Sequence, residues 1–274
     1  MHQHRHDGAG LGDAYEGGRG SPLVLLHGLT GTWHIWKPVL GLLEQHHRVI
    51  AITLPGHSGG PSLPSGSEAS IASMADAVIA DLRARGVDSA HIAGNSIGGW
   101  LALELARRGF ALSVTALSPA GGWRSAEDYR DVSRPFRMFH YLMPLLLILL
   151  GAFTVFAGLR RALVRQTMER GDRIPAAELL ASLFAFIRTA VLLPLLGSMG
   201  RDGPFQYLSA PGVPIRIAWS ACDRVIPYQR YGTAMLERVP QAELVMLAGV
   251  GHVPMYDDPE AVAACILEVT GAAG

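Results

Sequence analysis

Apolar residues in this chain follow two alternating patterns. Short unbroken runs, "SPLVLLHG", "HRVIAITLPG", "DSAHIAG" and "LSVTALSPAGG", predict strands buried on both faces. Between them lie segments with apolar residues every three or four positions: "TWHIWKPVLGLLEQ", Ser67 to Arg85 with Gly86 as its stop, and "IGGWLALELARRG". The alternation breaks near Trp123. It resumes near Val213 with a strand "VPIRIAWSACD", a helix from Pro227 to Val239, a strand "AELVMLAGVGH" and a helix from Asp258 to Val269. Such alternation predicts an α/β protein with a mostly parallel sheet covered by helices on both faces. Residues 21–122 and 211–274 then form the core, residues 123–210 a largely helical insertion, and residues 1–20 a short N-terminal segment.

Composition narrows the choices. A chain of 274 residues, 49% hydrophobic and 17% charged, describes a packed globular protein. Basic and acidic side chains balance at 23 each, so nucleic acid is not an expected partner. Two cysteines, Cys222 and Cys265, make neither a disulfide framework nor a four-ligand zinc site, and no metal or cofactor is expected. His2, His4 and His6 alternate but read as a frayed, tag-like end. The first twenty residues lack the apolar core of a signal peptide, which makes a cytoplasmic address the expectation.

Chemistry concentrates in "HIAGNSIGGW", where Gly94, Gly98 and Gly99 surround Ser96 at the end of a predicted strand and the start of a helix. A strand-to-helix turn this sharp strains its central residue and leaves no room for side chains two positions away on either side. It pushes the hydroxyl clear of the sheet, next to a helix N-terminus that favours developing negative charge. The stretch is not a phosphate-binding loop, because no Gly-Lys-Ser/Thr ending follows. A serine needs a base. Of eleven histidines, His252 in "GVGHVPMYDDP" follows the last predicted strand and emerges on the same sheet edge as Ser96. His57 in "LPGHSGG" is the remaining candidate, while His46, His47 and His91 read as structural. The base needs an acid, and Asp223 ends the strand before it. The loop after "LSVTALSPAGG" has no carboxylate before Glu127, and Asp257 and Asp258 look like a helix N-cap before Pro259.

With G-x-S-x-G at Ser96 and the order Ser96, Asp223, His252, the chain resembles the α/β-hydrolase superfamily from about Ser21 onward, the insertion excepted. The resemblance implies an oxyanion hole from the backbone N–H groups of Ile97 and of Leu29 in "HGLTG", with His27, Gly28 and Asn95 supporting. It also implies that the family's first antiparallel strands are reduced or missing here. The expected activity is hydrolysis of a carboxylic ester with an apolar acyl or aromatic group through an acyl-enzyme on Ser96. Thioesterases, lactonases and perhydrolases share the triad. A carbon–carbon bond hydrolase is a rival, since "GNSIGG" is similar to the elbow of meta-cleavage product hydrolases, with Arg137 or Arg188 as its cap arginine. Against it, Val253 follows the histidine where that family usually has an aromatic residue. Epoxide hydrolases and dehalogenases resemble this fold with aspartate as nucleophile. A ligand-binding receptor of the same fold is the rival from another class.

The insertion carries an uncharged run, "LMPLLLILLGAFTVFAGL" from Leu142 to Leu159, long enough for a membrane span. One crossing would part Ser96 from Asp223 and His252. A second apolar run, Leu179 to Leu196, holds Arg188 near its middle, at a cost of about 2.5–3.5 kcal/mol in a bilayer. Pro144 and Pro194 suit broken helices. The segment therefore reads as a helical lid over Ser96, with Leu146 and Phe153 expected to sense acyl length. Its apolar surface is a candidate for peripheral membrane or homodimer contact.

Overall fold

The structure is a computed structural model that describes residues 13–64, 66–150, 154–209 and 212–271, without the side chains of residues 146 and 148–150. His2, His4 and His6, the Leu146 side chain and Phe153 lie outside the described residues. Seven strands form one sheet: β1 (Ala14–Gly17), β2 (Pro22–Leu26), β3 (Arg48–Ile52), β4 (Ala90–Asn95), β5 (Ala111–Leu117), β6 (Ile215–Ser220) and β7 (Glu243–Leu247). Their spatial order is β1-β3-β2-β4-β5-β6-β7. β1 runs antiparallel to β3, pairing Ala14 with Ile52, and every other pair is parallel. The N-terminal antiparallel strand is therefore present, although only four residues long.

The unbroken apolar runs are explained by burial on both faces. In β2, Val24 and Leu26 join the core on one face while Leu23 and Leu25 join the other. In β3, Ile50 and Ile52 pair with the first set and Val49 and Ala51 with the second. Helices α2 (Ile71–Ala84), α3 (Ile97–Arg107) and α8 (Thr233–Arg238) cover the first face. Helices α1 (Lys37–Leu43) and α9 (Pro259–Thr270) cover the second. Ser70 caps α2 through a reciprocal bond with Ser73, so this helix starts four residues later than the apolar spacing suggests.

Chain direction reverses around β2. The chain leaves β2 for β3 on one side, then returns to β4 on the other, and continues outward to β5, β6 and β7. Loops after β2 and β4 therefore diverge and leave a crevice at the carboxyl edge, the usual ligand position in such sheets. Leu26 pairs with Gly94, which brings the two strand ends level.

Between β5 and β6 the chain forms α4 (Ala126–Leu150), α5 (Ala157–Leu163), α6 (Ala176–Arg188) and α7 (Leu192–Asp202). The apolar run from Leu142 to Leu159 is thus divided between α4 and α5. Pro135 and Pro144 both lie inside α4. Among the described residues no single helix is long and apolar enough to cross a membrane. Helices α6 and α7 pass such a test only as a pair, bent by 65°.

The turn from β4 into α3 has no spare space. A Cβ on Gly94 would lie 2.0 Å from the Gly98 carbonyl oxygen, and one on Gly98 would lie 2.2 Å from that of Leu26. Both neighbours are backbone and cannot rotate away. Gly94→Ala is therefore expected to lower stability by about 3 kcal/mol or more, read from the urea midpoint. Gly41, exposed inside α1 with no atom within 4 Å of an added Cβ, is the control. Its alanine variant is expected to gain about 0.5–1 kcal/mol.

Candidate active site

Ser96 stands between β4 and α3 with φ 57° and ψ −118°, a region that L-residues rarely adopt. The backbone around it is over-determined. Its amide donates to Leu117 O at 3.0 Å, and its carbonyl accepts from Trp100 N at 3.1 Å and Ala120 N at 2.9 Å. Asn95 faces the other way: its Nδ2 donates to Leu117 O at 3.2 Å and to the His252 carbonyl at 2.9 Å. A residue 157 positions away is so tied to the serine turn.

His252 and Asp223 meet in buried surroundings. Asp223 lies three residues beyond β6 and His252 five beyond β7, in loops on the same sheet edge as Ser96. His252 Nδ1 is 2.7 Å from Asp223 Oδ2. The second oxygen, Oδ1, accepts from the amides of Val225 and Ile226, each at 2.9 Å, so the carboxylate cannot turn. With Nδ1 as donor to Asp223, Nε2 is left to accept a proton. The Ser96 hydroxyl hydrogen-bonds none of the described residues.

The loop after β2 supplies a third component. An added Cβ on Gly28 would lie 3.2 Å from Ser96 Cβ, so the loop passes directly beside the serine. Gly31 N donates to Gly28 O at 3.1 Å, and Thr30 takes φ 67° to close the turn. Neither turn bond uses the Leu29 N–H. Ile97 is the first residue of α3, so its N–H has no acceptor within the helix. His27 holds the loop from below: Leu54 N donates to its Nε2 at 2.9 Å, and its Nδ1 is 2.7 Å from Gly28 O. His57 packs edge-on against it with ring centroids 4.9 Å apart. Burial holds the His27 pKa well below its ordinary value and brings that of His57 down to about 4. Both are built as neutral supports.

An apolar crevice opens from the surface at Ser96. Leu29, Ile97 and Trp123 line it together with Tyr129, Val132 and Phe136 of α4, Leu196 and Met199 of α7, and Ile226. Every lining residue is uncharged. The Tyr129 and Tyr231 hydroxyls are directed to the backbone carbonyls of Leu196 and Asp128. Among the described residues no group of three or more His, Cys, Asp or Glu is placed to hold a metal ion.

Residues 23–265 match the model of the alpha/beta hydrolase family. The chain belongs to that family. It is 32% identical over 205 residues to epoxide hydrolase EphH of Mycobacterium tuberculosis, a match covering 69% of this chain and 90% of the relative. It is 27% identical over 267 residues to the dihydrolipoyllysine-residue acetyltransferase component of an acetoin cleaving system from Cupriavidus necator. That match spans 92% of this chain but only 64% of the relative's length. Its backbone is similar to a thermophilic esterase from Thermogutta terrifontis, with a TM-score of 0.69 at 20% identity, covering 93% of this chain and 91% of the esterase.

Within this member of the family, Asp257 differs from its sequence-based expectation. Asp258 alone caps α9, accepting from Ala261 N at 2.9 Å. Asp257 is buried and accepts from three other amides: Gly251 at 2.8 Å, Glu169 at 3.0 Å and Arg170 at 2.6 Å. It therefore joins the loop of His252 to the segment before α6. Further bonds tighten the join: Val253 N to Thr167 O at 2.9 Å, and Gln166 Nε2 to Arg224 O at 2.8 Å. Asp257 receives donors from a segment 87 positions away, and no local spacing announces this.

Two outcomes are expected. Asp257→Asn turns an amide group towards N–H donors and displaces the histidine loop. Hydrolytic turnover should fall by about 10- to 100-fold, with KM little changed. Asp258→Asn should stay within a few fold. His57 binds fewer protons folded than unfolded between about 4 and its ordinary 6.5, so stability should fall as pH drops through that window. Urea midpoints against pH should show a slope of about 1.4 kcal/mol per unit from this group, flattened in His57→Gln.

Proposed function

We propose that the protein is a serine hydrolase of carboxylic esters whose acyl part is apolar or aromatic. The observation that carries the reading is the crevice shared by Ser96, Leu29 and Ile97, together with the buried Asp223–His252 pair, bonded at 2.7 Å, whose carboxylate accepts from the amides of Val225 and Ile226 in the crevice wall. In this reading Ser96 Oγ attacks the ester carbonyl carbon as its proton passes to His252 Nε2. The carbonyl oxygen takes the negative charge and accepts from the N–H groups of Leu29 and Ile97. Collapse breaks the bond to the alcohol oxygen, which leaves with the proton from His252. Water then gives a proton to His252 and attacks the acyl carbon, releasing the acid and restoring Ser96. Asp223 holds the imidazole tautomer and stabilises the imidazolium.

A serine at residue 96 also bears on the reaction class. Attack by a serine oxygen on an epoxide carbon would form an ether, which has no carbonyl for water to attack. An acyl group leaves an ester, which water can resolve. The epoxide hydrolase relative therefore lends its fold more readily than its reaction. Cleavage of a carbon–carbon bond in a ring-opened acid calls for a cation near the substrate carboxylate. Neither Arg137 nor Arg188 lines the crevice, which favours an uncharged acyl group. The segment from α4 to α7 acts in this reading as the lid, because Tyr129, Val132, Phe136, Leu196 and Met199 form the wall facing Ser96.

A panel of p-nitrophenyl esters tests the proposal. Each buried methylene is worth about 0.8 kcal/mol, so kcat/KM should rise by about 10- to 100-fold from acetyl to hexanoyl. Val132→Phe, narrowing the crevice, should reverse that rise while acetyl turnover stays within a few fold. Ser96→Ala and Asp223→Asn should each lower kcat by about 10⁴-fold in folded protein. A flat chain-length profile, or full activity in either triad variant, contradicts the proposal.

A further inference from the structure

Helix α4 has two unlike faces. Tyr129 and Ser133 are buried, and Val132 and Phe136 line the crevice. The other face passes at three- and four-residue intervals through Arg130, Arg134, Met138, Tyr141, Leu142 and Leu145, all exposed. It begins basic and becomes apolar. Met138 is 49% exposed, Tyr141 72% and Leu145 57%, and Phe139 beside them is 38% exposed. From Met138 to Leu145 this row covers about 10 Å of helix. Among the described residues no carboxylate pairs with Arg130, Arg134 or Arg137. Residues 123–210 hold eleven arginines and seven carboxylates, a net +4 that the rest of the chain offsets with −4.

We propose that the apolar row of α4 docks on an anionic lipid bilayer. Met138, Tyr141, Leu142 and Leu145 enter the boundary between headgroups and acyl chains, a depth of about 5–10 Å. The arginines, one to two turns nearer the protein core, meet lipid phosphates, which their planar forks bind bidentately. A second copy of the chain is a poorer occupant. Antiparallel two-fold pairing on this row would set the arginines against the partner's uncharged stretch after Leu142, and parallel pairing would set arginine against arginine, so neither supplies them with an anion. The helix lies on the membrane and does not cross it. Phe136 in the crevice wall lies within one turn of Met138 in the docking row, so docking brings the crevice close to the lipid. The proposal concerns binding and stands apart from the reaction assigned to Ser96.

Sedimentation of the full chain with vesicles tests it. The protein should sediment with phosphatidylcholine vesicles containing about a third phosphatidylglycerol, far less with phosphatidylcholine alone, and should be released by salt. Arg130→Gln with Arg134→Gln should weaken binding to the mixed vesicles by about 30-fold. Tyr141→Asp with Leu142→Asp should weaken it by at least about ten-fold. Leu112→Asp, an exposed apolar residue of β5 in the core sheet, should change nothing. A urea midpoint close to that of the parent verifies that each variant is folded, and binding alone decides the proposal. Absence of sedimentation by the parent chain, or binding unchanged in both paired variants, overturns it. So does a dimer by light scattering that the Tyr141 and Leu142 double variant splits into monomers.

Discussion

The backbone turn at Ser96 leaves no room for a side chain at residue 94 or 98, because each would strike a carbonyl oxygen of the opposing segment. From this close approach follow the direction of α3 and the positive φ of Ser96. The strain at one residue is maintained by bonds to β5 and to Ala120, which themselves depend on the parallel pairing of β4 with β5. Sequence, strand register and chemistry are thus linked at one point. Without glycine there, α3 could not start where it does, and the N–H of Ile97 would not lie beside the hydroxyl.

Around that turn the site is assembled from loops that belong to different strands and share no local pattern. Asn95 ties the turn to His252, Asp223 ties β6 to the same histidine, and Asp257 ties the histidine loop to residues 169 and 170. Each bond is made by a buried polar group whose alternative is an unsatisfied donor or acceptor, so loss of one partner costs more than the bond itself contributes. The segment between β5 and β6 therefore does two things. It lines the crevice with apolar side chains, and its stretch from Arg165 to Arg173 helps to fix the histidine.

Much of the fold was legible because it rests on local patterns. Strands buried on both faces write unbroken apolar runs, and Val24 and Leu25 fall on opposite cores as such a run implies. Ser96, Asp223 and His252 could be picked out because motif spacing and strand ends mark them, and the structure brings the last two into contact. Other features have no such mark. β1 is a four-residue edge strand, AYEG, without alternation strong enough to read. The apolar run from Leu142 to Leu159 has helical composition throughout, and its division between α4 and α5 is not written in its hydropathy. Asp257 resembles an N-cap because it precedes Asp258 and Pro259, yet its partners come from distant chain. The crevice walls at Tyr129 and Met199 meet only through packing of α4 and α7.

The proposed chemistry requires Ser96 to act as a nucleophile activated by His252. Reaction with a fluorophosphonate, followed by peptide mapping, tests this without assuming a natural substrate. The label is expected on Ser96 alone, at a rate that falls by orders of magnitude in His252→Ala, and it should vanish in folded Ser96→Ala. Labelling of another residue in the parent chain, or labelling that survives Ser96→Ala, would contradict the claim.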